Sequence, residues 1–160
     1  MVSPITIDDH QLTRALRNLQ RAGGDLSVPM RKISQALLYE AERNLADEGR
    51  PKWASLSQVT LDRRAGGEGS ASDFRILQHT GDLAASITAD YGHDYALVGS
   101  NKVYAAMQQF GGDKADFPNL WGDVPARPFL PIDADGKLQP EAKEEVLDTV
   151  LRHLQTAARI

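Results

Sequence analysis

A chain of 160 residues with 41% hydrophobic and 25% charged side chains is long enough for one buried core and too apolar to stay disordered. The absence of cysteine excludes disulfides, thiolate metal sites and cysteine nucleophiles, and no apolar run approaches the roughly 20 residues that span a bilayer. The net charge of −4 is uneven: residues 1–80 carry 11 basic and 10 acidic side chains, residues 81–160 carry 7 and 12. A concentrated basic face for nucleic acid is therefore not expected, while opposed charge between subunits is left open.

The opening MVSPITIDDH has neither the basic start nor the apolar stretch of a signal peptide, which points to a cytoplasmic protein or one built into a particle there. From Asp8 to Ala22, Leu12, Leu16 and Leu19 fall on one side of a short amphipathic helix, stopped by Gly23-Gly24. A longer helix follows Ser27, with Pro29 tolerated in its first turn. Met30, Ile33, Leu37, Ala41 and Leu45 then repeat at helical spacing until Gly49-Arg50-Pro51 ends it.

Residues 61–75, LDRRAGGEGSASDFR, show no apolar period and read as a mobile loop. His79-Thr80-Gly81-Asp82-Leu83 reads as a turn delivering the chain into a β-hairpin, in which Ile87, Ala89 and Tyr91 alternate with polar neighbours. Gly92-His93 makes the bend and Tyr95–Val98 returns. A short helical piece from Val103 to Gln109 closes on Phe110-Gly111-Gly112, and a second long, flexible loop occupies 112–124.

The last helix starts at Pro140 and has Glu141, Glu144 and Glu145 early and Arg152, His153 and Arg159 late, each sign matching the helix dipole. The fold class expected is α+β in one domain, 1–160. A small antiparallel β-sheet packs against the long helix of the N-terminal half and the C-terminal helix, with long flexible loops. No internal repeat marks a solenoid.

Chemistry is hard to find. None of His10, His79, His93 and His153 has a metal-ligand partner at helical spacing. No G-x-S-x-G elbow supports a serine nucleophile, and the glycines of 66–69 lack the lysine and the preceding strand of a phosphate loop. No catalytic residue, cofactor or metal is expected. Two rival readings are a small hydrolase or nuclease using His79, Asp82 and His93, and a DNA-binding accessory protein using Arg63, Arg64 and Arg75.

The segment PARPFLP, residues 125–131, is more informative. Three prolines stiffen the backbone around Arg127 and Phe129, presenting a planar five-donor cation and an aromatic ring in a fixed direction. Trp53 and Trp121 lie outside the strong helices, where each either caps a core edge or anchors an interface.

Four motifs occur in order: W-x-x-L-x-x-x-T-x-x-x-R (Trp53 to Arg64), I-L-Q-x-T-G-x-L-x-x-S-I (Ile76 to Ile87), V-G-S-N-x-x-Y-A-x-x-Q-Q-F-G (Val98 to Gly111) and P-A-R-P-F-L (Pro125 to Leu130). In this order they resemble the virion morphogenesis, or tail-completion, family of tailed bacteriophages and prophages, including Mu-like ones, over about residues 36–132.

The resemblance implies a non-enzymatic structural protein of the virion, assembled in the bacterial host cytoplasm. It would act at the head–tail neck or tail end as a ring of identical copies, hexameric, against other neck, connector or tail proteins. No membrane is implied, and no nucleic acid beyond DNA passing through the ring lumen. The interface residues expected on this reading are Trp53, Tyr104, Gln109, Phe110, Arg127 and Phe129. Alanine at both Arg127 and Phe129 is expected to block assembly while leaving a folded monomer.

Overall fold

The computed structural model describes residues 10–21, 24–66 and 74–157. Its elements are α1 (His10–Arg21), α2 (Ser27–Ala46), α3 (Gln58–Ala65), α4 (Asp82–Ser86), β1 (Ile87–Tyr91), β2 (Ala96–Ser100), α5 (Ala105–Phe110) and α6 (Pro140–Ala157). The two strands form one antiparallel hairpin, so the class is α+β as the alternation over 87–98 predicts. Asp8, Asp9, Ala22, Gly23, Ala158 and Arg159, which enter the readings of α1 and α6, lie outside the described residues, as does the side chain of Leu16.

The chain forms two compact units, each assembled from separate stretches of sequence: one from Met1–Glu40, Thr88–Val98 and Pro131–Ile160, the other from Ala41–Ile87 and Gly99–Leu130. The first unit is a helical core. Leu12 and Leu19 of α1, Leu26, Met30 and Ile33 around the start of α2, and Val146 and Val150 of α6 are buried together. Leu37, Ala96, Leu138, Leu147 and Leu154 pack against them. These are the positions that the 3.6-residue period places on single faces, and complete burial of each such side chain stabilises by about 1.5–3 kcal/mol. At the start of α2 the Asp25 carboxylate accepts from the Ser27 N–H at 2.9 Å, and its hydrogen bonds from Ser27 hold Asp25 below the usual carboxylate range.

In the second unit the C-terminal end of α2 is closed by side chains. Gln78 Nε2 donates to Leu45 O at 2.8 Å, and Arg75 Nη2 donates to Ala46 O at 3.1 Å. Lys52 Nζ donates to Asp47 O. Glu48 Oε1 accepts from the Ile76 N–H at 2.7 Å. Carbonyls that a helix end leaves without partners are thus satisfied by Gln78, Arg75 and Lys52.

The expected loop at 61–75 is corrected. Its first part is the end of α3, capped by Ser57, whose Oγ accepts from the Thr60 N–H at 3.3 Å; residues 67–73 lie outside the described part. No residue of α3 is buried, which is why an apolar period gave no sign of it. A helix of this length without tertiary burial depends heavily on its cap. Ser57→Ala is expected to cost α3 about 1 kcal/mol. Amide exchange over α3 should then quicken roughly fivefold, while the global unfolding midpoint shifts little.

The predicted loop at 112–124 is closed at its base, where Gly112 and Val124 form an antiparallel bridge with N–H···O distances of 2.9 and 2.8 Å. Asp123 Oδ1 also accepts from the Lys114 N–H at 2.8 Å.

Candidate assembly interface

The hook of residues 125–131 lacks a donor at each proline, and no strand pairs with it. Its remaining backbone groups must find partners elsewhere, and in the second unit several are met by side chains. Gln109 of α5, 2% exposed, accepts through Oε1 from the N–H groups of Phe129 and Leu130 at 3.0 and 2.9 Å. Asn44 of α2 donates through Nδ2 to the carbonyls of the same two residues at 3.2 and 3.4 Å, and its Oδ1 accepts from Arg50 Nε at 2.8 Å. Trp53 Nε1 donates to Pro128 O at 3.1 Å. Two amides and an indole thus do for this segment what a neighbouring strand does in a sheet.

Arg127 is buried as well. Its Nε donates to Ala54 O at 3.2 Å and its Nη2 to Ser55 O at 3.1 Å. The Arg127 N–H donates to Gln108 O at 2.7 Å. Burial, and then the Arg64 cation, push the guanidinium below its usual range. Phe129 is 1% exposed, the largest fully buried side chain among the described residues. Gly111, with φ +70°, takes the chain from α5 toward the hook; a Cβ there would meet Val124 O and Ala126 N at 2.7 Å each.

The expectation of an outward-facing hook is therefore corrected. Trp53, Gln109, Arg127 and Phe129 have their side chains inside the second unit, because a proline-interrupted segment without a strand partner has to be satisfied internally. Tyr104 and Phe110 are exposed. They belong to a stretch of chain from 103 to 121 that leaves Val103 at 99%, Trp121 at 97% and Phe117 at 47% in solvent.

Sequence reasoning named Tyr104, Gln109 and Phe110 from this stretch as interface residues, of which Gln109 is buried, and left Trp121 undecided between core edge and anchor. It missed Asn44 too, though an amide set into the apolar stripe beside Ala41 and Leu45 is a readable sign of a buried polar partner.

The rival sites are differently placed. Asp82 accepts from the Thr80 hydroxyl at 2.9 Å at the start of α4, and His79 is exposed. His93, in the other unit, lies by Asp25 and the Leu26 N–H. Arg64 and Arg75 donate to the backbone carbonyls of Arg75 and Ala46 respectively. Among the described residues no group of three or more His, Asp or Glu is placed to hold a metal ion. No described helix is long and apolar enough to cross a membrane.

The chain belongs to the phage virion morphogenesis family, whose model matches residues 7–155. It is 35% identical over 159 residues to protein G of Escherichia phage Mu, named as a capsid assembly protein, covering 97% of this chain and 96% of that one. It is 31% identical over 145 residues to the Mu-like prophage FluMu G protein 2 of Haemophilus influenzae, covering 91% and 90%. G protein 1 of the same prophage is 36% identical over 113 residues, covering 66% and 68%. No solved structure matches significantly. The protein is thus a phage structural or assembly protein.

Proposed function

We propose that the protein acts at the head–tail neck or the tail end of the virion, completing tails or joining them to heads. In this reading it works as a ring of identical copies, hexameric, which meets other neck, connector or tail proteins. The observation that carries the reading is the exposed set Val103, Tyr104, Phe110, Phe117 and Trp121, of which Phe117 and Trp121 lie on a segment closed at its base by the Gly112–Val124 bridge. Large aromatic side chains on a held backbone lose little entropy on docking, and they dominate contact energies where they are desolvated. A heterologous contact repeated around an axis closes a ring.

The test is complementation of a deletion phage with Phe110→Ala/Trp121→Ala. Unfolding free energy should stay within about 0.5 kcal/mol of the parent, since both side chains are exposed. Loss of two anchors worth about 2 kcal/mol each should weaken the docking contact at least a hundredfold and cut infectious yield in proportion. Micrographs should contain filled heads separated from tails. Normal yield would dismiss these residues as the contact, and malformed or missing heads would move the site of action to the capsid.

A further inference from the structure

α1 carries a feature that neither its core packing nor the assembly reading uses. Its sequence, HQLTRALRNLQR, contains three arginines, one histidine and no acidic residue, in a chain whose net charge is −4. Leu12 and Leu19 are buried in the first unit and fix which side of the helix faces inward. His10, Arg14, Arg17 and Arg21 are exposed. With Thr13 and Asn18 they line one shallow depression of about 290 Å³.

Solvated helix faces usually interleave opposite charges at i, i+3 and i+4. Here those spacings bring like charges together, which destabilises a helix unless an anion sits over them. Among the described residues none of the three arginines forms an ion pair.

We propose that this face of α1 binds the phosphate backbone of double-stranded DNA without regard to sequence. From Arg14 to Arg21 the helix rises about 10.5 Å, the distance over which one DNA strand presents about three phosphates. Guanidinium forks match phosphate oxygens, and the neutral donors Thr13 and Asn18 suit the positioning contacts that accompany them.

An acidic protein surface is the competing occupant, and the acidic helix within the first unit shows why it is the poorer one. Glu141, Glu144, Glu145 and Asp148 of α6 are mixed with Lys143 and Arg152, and Asp148 already pairs with Arg152 at 2.7 Å. A second copy would offer α1 a face whose four acidic side chains are half offset by Lys143 and Arg152, whereas a phosphodiester strand is an uncompensated one. This surface lies in the other unit from the aromatic stretch, so the proposal stands or falls apart from the assembly reading.

The experiment titrates the purified full chain into a fluorescent duplex of about 30 bp and mixed sequence, from roughly 20 to 150 mM salt. Binding is expected at low salt, with a slope of log K against log salt of roughly −2.7 for three neutralised phosphates. Arg17→Gln should flatten that slope by about 0.9. Arg14→Gln/Arg17→Gln/Arg21→Gln should abolish binding with helicity retained, glutamine being nearly as good a helix former as arginine. Arg63→Gln, on α3, should leave the slope unchanged.

Absence of binding at the lowest salt would overturn the proposal, as would an unaltered slope in the triple variant. Equal competition by polyglutamate would also overturn it, reassigning the face to an acidic protein.

Discussion

Phe129→Ala is expected to lower the stability of the protein by about 3–5 kcal/mol. The ring is 1% exposed and sits in a stretch whose backbone is held by two helices, so its removal leaves a space that the fixed backbone cannot close. For a chain of this size each kcal/mol moves the thermal midpoint by about 2–4 °C, giving a fall of roughly 6–20 °C by circular dichroism. Arg127→Ala should cost less, because the Ala54 and Ser55 carbonyls it serves belong to exposed residues that water can reach. A folded monomer lacking only assembly, expected for the double variant if the hook faces outward, is the result this geometry forbids. A Phe129→Ala protein as stable as the parent would show the ring to be dispensable to packing.

Gln109→Leu isolates the polar half of the same arrangement. The two side chains are similar in volume, but leucine offers no acceptor, and the N–H groups of Phe129 and Leu130 lose the oxygen they share. Each buried donor left unsatisfied costs about 1–3 kcal/mol, so a loss of about 2–6 kcal/mol is expected in urea unfolding. Asn44→Leu removes the donor to the carbonyls of the same two residues. In a double-mutant cycle the two changes should therefore depart from additivity by about 0.5–3 kcal/mol. Independent, additive costs would mean that Asn44 and Gln109 do not act on one element, and a Gln109→Leu cost below about 0.5 kcal/mol would mean water replaces the amide.

These two residues also mark where the sequence stopped being readable. α2 and α6 were legible because Met30, Ile33 and Ala41, and Val146 and Val150, are buried at the period a helix imposes. The hairpin was legible because alternation and the Gly92-His93 bend are local properties. α3 was not, since a helix with nothing buried leaves no apolar period. The basic face of α1 was overlooked because its arginines are spread over two turns of helix, while Arg63-Arg64 stood adjacent and drew attention without forming a comparable surface.

The sequence by itself determined the helices with buried faces, the hairpin, the rigidity of the proline-bounded hook and the likeness to phage morphogenesis proteins, because each is written in short-range pattern or in residue order. Only the tertiary structure decided that the hook is internal and that the exposed aromatic surface lies at 103–121. The reason is that a proline removes a donor without saying what will satisfy the groups that remain. Here those partners are amides 85 residues away at Asn44 and 20 residues away at Gln109, a distance over which no sequence period reaches.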